Sequence, residues 1–187
     1  MKNTTTKEKI GDYRRTPVEI FNLLNKEFNF VADMASSEDN KLCRIHYTEQ
    51  NSSLDFAWAV EIQNQIDSTD NKECSYVWCN PPYSNPMPWI QKAIRAQEDG
   101  LGTVMLLNAD TSVGWFAEAL TKVSEIHYIT AEKKSNGKYA SGRISFIGPD
   151  GVSIKGNNKP QLVFVFNPLE IGERETYYIP KTALYEE

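Results

Sequence analysis

The chain has 187 residues, of which 40% are hydrophobic and 24% are charged, a composition typical of one soluble globular domain with a substantial core. No apolar run approaches the roughly 18 residues of a transmembrane helix, and the polar amino terminus lacks the apolar core of a signal peptide. We therefore expect a cytoplasmic protein without a membrane span. The few cysteines and histidines lack Cys-x-x-Cys spacing and predict neither a disulfide framework nor a metal site: Cys43, Cys74, Cys79, His46 and His127.

The net charge of -5 is distributed unevenly along the chain. Residues 1–15 carry five basic and two acidic side chains, residues 131–160 carry six and two, and residues 16–130 carry seven and sixteen. A phosphate backbone responds to a local basic stripe more than to the total charge, so both basic segments are candidate nucleic-acid contacts. From charge alone, a lysine-rich loop that keeps the chain soluble is equally favoured.

A helix is expected to follow the polar arm of residues 1–15 and to continue to about residue 28. Thr16 can cap this helix, Pro17 suits its first position, and Glu19 completes a Thr-x-x-Glu capping box. The free N–H groups of a helix start also suit a carboxylate ligand, so Thr16 and Pro17 have two interpretations. An apolar stripe at helical spacing predicts the buried face: Val18, Phe21, Leu24 and Phe28.

A short strand is predicted over residues 30–34, and small residues follow its acidic end. Asp33 stands at that end, and Ala35 and Ser36 behind it allow a ligand to approach the backbone closely. In an α/β sheet, a strand end of this kind lies at the ligand crevice. The alternative is that Asp33 simply caps the turn.

A second strand, over residues 44–48, is expected to end at the same crevice. Its terminal residues Tyr47 and Thr48 are therefore candidates for ligand contact, although polar residues at strand ends are usually just solvated. Glu49 or Asp55 could supply an acidic partner for ligand hydroxyl or amino groups.

The most informative strand is predicted over residues 74–79. Val77 and Cys79 can face one side of a sheet while Tyr76 and Trp78 face the other, with no helical periodicity in the flanks. This pattern indicates a strand that is covered on both faces.

The strand runs directly into Asn80-Pro81-Pro82-Tyr83. Two consecutive prolines remove two backbone donors and force the chain out of the sheet in a stiff, non-helical turn. The Asn80 amide oxygen and the Pro81 carbonyl can accept hydrogen bonds from one amino group, while the Tyr83 ring stacks on the plane behind it. This corner suits a planar group bearing an NH2, whereas the simpler alternative is a rigid turn.

The later part of the chain continues the alternation of helices and strands. Residues 61–73 are polar and predict a surface loop with at most one helical turn, and the acidic tail to Glu187 carries no structural prediction. If neighbouring strands run parallel, Asp110 lies at the same edge as Asn80. The predicted elements are a helix over 89–98 with Ile90 and Ile94 inward and Lys92 and Arg95 outward, a strand over 103–108, a helix over 112–121, and strands over 123–130 and 161–166.

Residues 131–160 change character, because basic side chains alternate there with glycines and with Tyr139. An arginine that follows a Gly-rich turn can hold a phosphate or a base edge with its bidentate fork. The alternative is a hairpin whose lysines only keep it soluble. The basic residues of this segment are Lys133, Lys134, Lys138, Arg143, Lys155 and Lys159.

At these residues the sequence resembles a known group of enzymes. Asn80-Pro81-Pro82-Tyr83 resembles the (Asp/Asn)-Pro-Pro-(Tyr/Phe) motif of amino-methyltransferases that use S-adenosyl-L-methionine. The run from Val77 to Ser84, with Trp89, Lys92 and Ala93, is similar to the phage-type DNA N-6-adenine methyltransferase (Dam) family. Further matches occur in the family's order between residues 14 and 167: Thr16-Pro17, Asp33-x-Ala35, Asn40 with Cys43, and Gly142-Arg143 with Phe146. Met34 and Ser36 depart from the family's common residues.

The resemblance implies an α/β fold, a Rossmann-like methyltransferase with a mixed, mostly parallel sheet flanked by helices. It implies S-adenosyl-L-methionine as cofactor and double-stranded DNA as partner, with a flipped adenine as the methyl acceptor. The expected organisation is a flexible arm over residues 1–15 and a single domain over 16–187, in which 131–160 is a basic insertion facing the substrate. Two alternatives remain, which are a methyltransferase for an RNA base or a protein glutamine, and an inactive fold that only binds DNA.

The resemblance also assigns roles to residues of this chain. The catalytic candidates are Asn80, Pro81, Pro82 and Tyr83. The cofactor-binding candidates are Thr16, Pro17, Asp33, Ala35, Ser36, Tyr47, Thr48 and Asp55. The substrate-binding candidates come from the basic segment, in which only Arg143 also matches the family's motif: Lys133, Lys134, Lys138 and Arg143.

Overall fold

The computed structural model describes residues 12, 14–66, 75–154, 157–170, 172 and 174–185. The helices in these ranges are α1 Val18–Phe28, α2 Trp58–Gln65, α3 Met87–Glu98 and α4 Gly114–Ala119, with 3-10 helices at Ser53–Asp55 and Lys181–Tyr185. The strands are β1 Ala32–Asp33, β2 Ile45–His46, β3 Ser75–Cys79, β4 Leu101–Asn108, β5 Glu125–Thr130, β6 Glu132–Lys133, β7 Tyr139–Ala140, β8 Gln161–Phe166 and β9 Glu175–Pro180.

Seven of these strands form one sheet in the order β2-β1-β3-β4-β8-β5-β9, and β6 pairs with β7 in a separate hairpin. Strand β8 runs antiparallel to both of its neighbours, whereas all other pairs in the sheet are parallel. The predicted α/β class with a mixed, mostly parallel sheet is therefore confirmed. Because parallel strands end on the same side, the residues that follow β1 to β5 lie along one side of the sheet, here called the carboxyl edge.

Helices cover both faces of the sheet. One face packs against α1, and the other packs against α2, α3 and α4. Strand β3 alternates as predicted. Val77 and Cys79 face the side covered by α2, α3 and α4, whereas Tyr76 and Trp78 face the side covered by α1. Strand β4 is buried from Leu101 to Leu107 and β8 is buried throughout, because both are covered on two sides.

The start of α1 differs from the prediction. Pro17 rather than Thr16 occupies the capping position, and no side chain caps the helix. The predicted capping box is therefore wrong, because the Thr16 hydroxyl is engaged by Asn80 instead. Val18 was expected in the core but lies in the first turn and is 51% exposed. The buried face comprises Ile20, Phe21 and Leu24.

Two polar stretches are more regular than their composition predicts. Residues 61–65 belong to α2, whose Trp58 and Ile62 are buried, and the remaining residues 67–73 of the expected loop lie outside the described ranges. The acidic C-terminal stretch forms β9 and a 3-10 helix whose Leu184 is only 1% exposed. Because α2, β9 and the C-terminal 3-10 helix each bury so few residues, their sequences show no hydrophobic periodicity from which these elements could be predicted.

Smaller differences concern the lengths of elements and one lysine. Strands β1 and β2 have two residues each, and α4 has six where ten were expected. Lys92 was expected to point to solvent, but its ammonium group donates to the Phe56 carbonyl at 2.6 Å and so ties α3 to the chain before α2. None of the described helices has the length and apolar character needed to span a membrane.

Candidate active site at the carboxyl edge of the sheet

A cavity of about 640 Å³, here called the first cavity, opens at the carboxyl edge. The structure brings eight of the predicted site residues into its wall: Thr16, Asp33, Ala35, Ser36, Tyr47, Thr48, Asn80 and Pro82. Of the other predicted catalytic and cofactor-binding residues, four lie outside that wall, namely Pro17, Asp55, Pro81 and Tyr83. The wall therefore joins the ends of β1, β2 and β3 with the residues that precede α1.

Asp33, at the end of β1, organises one side of the first cavity. Its carboxylate accepts hydrogen bonds from the backbone N–H groups of Ala35, at 3.3 Å, and Leu42, at 3.2 Å. These bonds hold the loop between β1 and β2 against the sheet. Asp33 is only 2% exposed, and burial raises the pKa of its carboxyl group to about 6. Asp33 therefore both caps the turn and lines the first cavity.

Tyr47, just after β2, forms the adjoining part of the wall. Its hydroxyl accepts from Gln65 Nε2 at 2.8 Å and donates to Glu61 at 3.5 Å. Its backbone carbonyl accepts from the Ser36 N–H at 2.8 Å. Burial, and then the negative charge of Glu61, raises the pKa of the Tyr47 hydroxyl to about 12. Tyr47 is thus fixed by α2 and contributes a neutral ring to the cavity.

The acidic partner chosen for ligand hydroxyl groups is not at the cavity. Asp55 is exposed on the 3-10 helix and lies outside the cavity wall, whereas Glu49 lies within it. The 3-10 helix itself is held by the Ser53 hydroxyl, which donates to the Met34 carbonyl at 2.6 Å. This bond turns Leu54 rather than Asp55 into the cavity.

Asn80, the first residue after β3, has one satisfied side and one unsatisfied side. Its Nδ2 donates to the Thr16 hydroxyl at 3.0 Å and to the Arg14 carbonyl at 3.4 Å. Its Oδ1 is buried and has no hydrogen-bond partner among the described residues. No backbone N–H of a described residue donates to the carbonyl of Pro81. The corner therefore keeps two acceptors that the fold itself does not use.

Tyr83 closes the motif on the far side from the first cavity. Its ring meets the Phe146 ring edge-on, with 5.9 Å between centroids and 73° between planes. Its hydroxyl is buried without a partner among the described residues, and burial raises its pKa. Tyr83 lines a second cavity of about 400 Å³, whose other walls include Asn108, Asp110 and Trp115. As the sequence indicated, Asp110 lies at the same edge as Asn80.

The motif stands between the two cavities. Asn80 and Pro82 line the first, Tyr83 lines the second, and Asn85 lines both. Lys159 lies at the rim of the second cavity with its ammonium group 3.7 Å from the Asp110 carboxylate. Groups bound in the two cavities would therefore meet at the Asn-Pro-Pro-Tyr corner.

The described part of the N-terminal arm lies across this corner. Asp12 accepts from the backbone N–H and the hydroxyl of Ser84, at 3.0 and 2.7 Å. Arg15 exchanges backbone hydrogen bonds of 2.9 and 3.0 Å with Ile147. Arg14 donates to Asn157 at 3.1 Å. The remaining residues of the expected arm, 1–11 and 13, lie outside the described ranges.

The basic segment begins where β5 ends at the carboxyl edge. Strands β6 and β7 form a hairpin that carries exposed lysines and Tyr139, whose side chain is 74% exposed. Further along, Ile144 and Phe146 are fully buried and anchor the segment to the core. The four predicted substrate residues line neither cavity, and none forms an ion pair within the described part of the chain: Lys133, Lys134, Lys138 and Arg143.

Several wall residues of the first cavity were not assigned to it from the sequence. Asp12, Arg14 and Arg15 were treated only as part of a basic arm, although their charge was noted. Leu54 and Trp89 also line the cavity, and apolar side chains of this kind carry no local signal that separates a site from the core. Among the described residues, no cluster of three or more His, Cys, Asp and Glu side chains could hold a metal ion.

A mixed sheet of this order, with a cavity at its carboxyl edge and Asn80 and Pro82 of an Asn-Pro-Pro-Tyr corner in the wall, is the arrangement expected of an amino-methyltransferase. The model of one family, DNA N-6-adenine-methyltransferase (Dam), matches residues 3–187. The chain therefore belongs to this family, and the resemblance seen in its motifs is confirmed.

Two relatives from bacterial viruses bear the name DNA N-6-adenine-methyltransferase. The chain is 36% identical to the protein of Escherichia phage T1 over 190 residues, which cover 98% of this chain and 74% of the relative. It is 31% identical to the protein of Haemophilus phage HP1 (strain HP1c1) over 172 residues, which cover 90% of this chain and 86% of the relative. The similarity thus extends well beyond the Asn-Pro-Pro-Tyr motif.

Proposed function

We propose that this chain transfers a methyl group from S-adenosyl-L-methionine to the exocyclic amine of an adenine extruded from double-stranded DNA. The observation that carries the proposal is the buried, unpaired Asn80 Oδ1 beside the first cavity. Family membership and the shared name of the two phage relatives give the reaction class and favour DNA adenine over an RNA base or a protein glutamine. The phage relatives also favour action in the cytoplasm of a bacterial or phage-infected cell.

The first cavity fits the cofactor. Its volume of about 640 Å³ lies within the common range of small-molecule sites. The Asp33 carboxylate in its wall can accept from an ammonium group. At the far side, Tyr47 and Glu49 offer a ring and an acceptor for a nucleoside. S-adenosyl-L-methionine, when bound, supplies an electrophilic methyl group on a sulfonium centre.

The Asn-Pro-Pro-Tyr corner can make the adenine amine, which accepts the methyl group, a better nucleophile. The adenine amine is a poor nucleophile because its lone pair is delocalised into the ring, and in a duplex it is paired and must be flipped out. Asn80 Oδ1 and the Pro81 carbonyl accept its two N–H groups and favour a pyramidal nitrogen with a localised lone pair. This positioning needs no covalent intermediate, so the buried Cys79 is a strand residue rather than a nucleophile.

The second cavity is the space we assign to the extruded base. Two aromatic rings, Tyr83 and Trp115, line it, and a planar base can stack on such surfaces. It adjoins the motif on the side opposite the proposed cofactor site. A base there and a methyl donor in the first cavity therefore approach each other at Asn80.

The basic segment supplies the proposed contact with the DNA backbone. Lys133, Lys134 and Lys138 stand on an exposed hairpin that leaves the same edge of the sheet, and they have no acidic partners among the described residues. Arg143 follows Gly142, whose lack of a side chain lets the chain pass within van der Waals distance of the Thr130 backbone. Free cations beside the catalytic edge can hold phosphates and so place the duplex.

The reaction is tested by identifying the product. The protein would be incubated with methyl-labelled cofactor and unmethylated double-stranded DNA, and the digested nucleosides would be separated by mass spectrometry. We expect label only in N6-methyldeoxyadenosine, and far less of it when the Asn80→Ala variant replaces the wild type. Label in cytosine, in an RNA of the same sequence, or in protein would overturn the proposal. Cofactor binding without any transfer would favour an inactive DNA-binding fold.

A further inference from the structure

We propose that Thr16 is a positioning residue, which together with the Arg14 carbonyl holds the donor end of the Asn80 amide and so leaves the acceptor end for the substrate. The inference rests on the proposed catalytic role of Asn80 and extends it to a second side chain. An amide has an acceptor end and a donor end of nearly equal shape, so packing alone does not choose between its two orientations. The wrong orientation would present N–H groups to the N–H groups of the substrate amine and repel it.

Two oxygen atoms hold the donor end of the Asn80 amide, and one of them chooses its orientation. The Arg14 carbonyl, 3.4 Å from Nδ2, has no hydrogen and can only accept, so it rejects the amide oxygen. The Thr16 hydroxyl could donate or accept and so does not choose the orientation, but in the orientation set by Arg14 it accepts the amide N–H at 3.0 Å, the shorter of the two contacts, and anchors it. With Nδ2 held on this side, Oδ1 is left buried and unpaired on the other.

Thr16 is itself held in place from both directions along the chain. On one side, Arg15 is fixed by its backbone pairing with Ile147. On the other side, Pro17 is buried and begins α1. The Thr16 hydroxyl is not used as a helix cap, although the sequence predicted that role. Its hydrogen bond with Asn80 spans 64 positions of the chain, which is why local sequence patterns could not reveal it.

The first measurement compares two substitutions at Thr16. Thr16→Val keeps the shape and removes the acceptor, so kcat for methyl transfer should fall by about tenfold or more, with the KM for DNA unchanged. Thr16→Ser keeps the hydroxyl and should restore kcat to within about threefold of the wild type. Because Thr16 also lines the first cavity, both are assayed at saturating cofactor, with cofactor affinity measured by calorimetry.

The second measurement removes the choice of orientation. In an Asn80→Asp background the side chain has two equivalent acceptor oxygens, so neither orientation presents a donor to the substrate. Adding Thr16→Val there should lower kcat by less than about threefold, whatever the rate of the background itself. If Thr16 only supported the fold, the loss would be the same in both backgrounds, and the inference would be overturned.

The outcomes separate this inference from the proposed function. If Asn80→Ala retains full turnover, the proposed role of Asn80 fails, and the inference fails with it. If Asn80→Ala is inactive while Thr16→Val equals the wild type, only the positioning role fails. If the Asn80→Asp background has no activity, the comparison of Thr16→Ser with Thr16→Val decides, and equal losses in those two variants refute the inference.

Discussion

The Asn80 amide oxygen is unusual because buried polar atoms in folded proteins are almost always paired. Five buried side-chain atoms lack a partner in the described part of the chain, and two of them belong to the Asn-Pro-Pro-Tyr motif, Asn80 Oδ1 and the Tyr83 hydroxyl. Leaving such an atom unpaired costs about 1–3 kcal/mol. A substrate that brings N–H donors to Asn80 recovers this cost, so the unpaired Oδ1 favours binding of an amine.

Removing that acceptor gives the most direct test at the residue scale. Asn80→Ala should lower kcat by about a hundredfold or more, by analogy with the loss of one group that stabilises charge in a transition state. Cofactor affinity should change little, because Asp33 and Tyr47 provide other parts of the first cavity. Single-turnover methyl transfer and calorimetry measure the two quantities. Asn64→Ala, an exposed site on α2, is the matched control, and turnover of Asn80→Ala at that control's level would refute the role.

Asp33 predicts how cofactor binding depends on pH. Its pKa is raised to about 6, chiefly by burial, and only the ionised carboxylate attracts an ammonium group. Cofactor affinity should therefore fall about tenfold per pH unit below 6 and level off above about 7. Calorimetric titration between pH 5 and 8 would show this profile, and Asp33→Asn should bind weakly with a flat profile over that range. A wild-type affinity that is constant from pH 5 to 8 contradicts the prediction.

The raised pKa of Asp33 affects folding stability in the opposite direction from cofactor affinity: stability falls as the pH rises. Because the folded protein holds the Asp33 proton more tightly than a free carboxyl group of pKa 3.8, this residue contributes stability that is fully present below pH 3.8. That contribution is lost as the pH rises through 6. The ionised Asp33 carboxylate, to which we assign the cofactor's ammonium group, is thus kept at a cost in stability, which the bonds from Ala35 and Leu42 partly offset.

At the scale of elements, the sequence predicted what depends on local pattern. Strand β8 was predicted with its observed bounds and β3 with its alternation, because continuous or alternating apolar runs are local features. The start of α1 was not predicted, because the Thr16 hydroxyl bonds to Asn80, the residue after β3, rather than to a backbone N–H of its own helix. Strand β9 was missed, because its residues are mostly exposed and it is recognised only by pairing with β5.

The β6–β7 hairpin carries the element-scale prediction. Changing both Lys133 and Lys134 to Glu should weaken DNA binding and reduce the slope of its salt dependence by about one for each phosphate that the hairpin no longer neutralises. Fluorescence anisotropy at several salt concentrations measures both effects. Lys26→Glu is the control, since Lys26 is exposed near the end of α1, just before the chain enters β1 from the edge opposite the site. Equal effects per charge at both places would remove the hairpin from the interface.

At the scale of the whole molecule, distant parts of the chain are joined beside the site. One core layer combines residues of α1, of the basic segment and of the C-terminal 3-10 helix, including Ile20, Phe146 and Leu184. Phe146 in turn contacts Tyr83 of the motif. The sequence could indicate that each of these stretches held apolar residues, but it could not show that they share one layer, because their contacts span most of the chain.

The C-terminal 3-10 helix is therefore expected to stabilise the whole fold. Leu184→Ala should lower the free energy of unfolding by about 2–4 kcal/mol, since it removes a fully packed side chain and leaves a cavity. Denaturant unfolding measures this change, and Leu169→Ala, at a position that is 59% exposed, should stay within about 0.5 kcal/mol of the wild type. If the two variants have the same free energy of unfolding, the C-terminal 3-10 helix does not stabilise the fold. A selective loss in Leu184→Ala would mean that the C-terminal 3-10 helix completes the layer that also holds Phe146 and packs against Tyr83 of the Asn-Pro-Pro-Tyr corner.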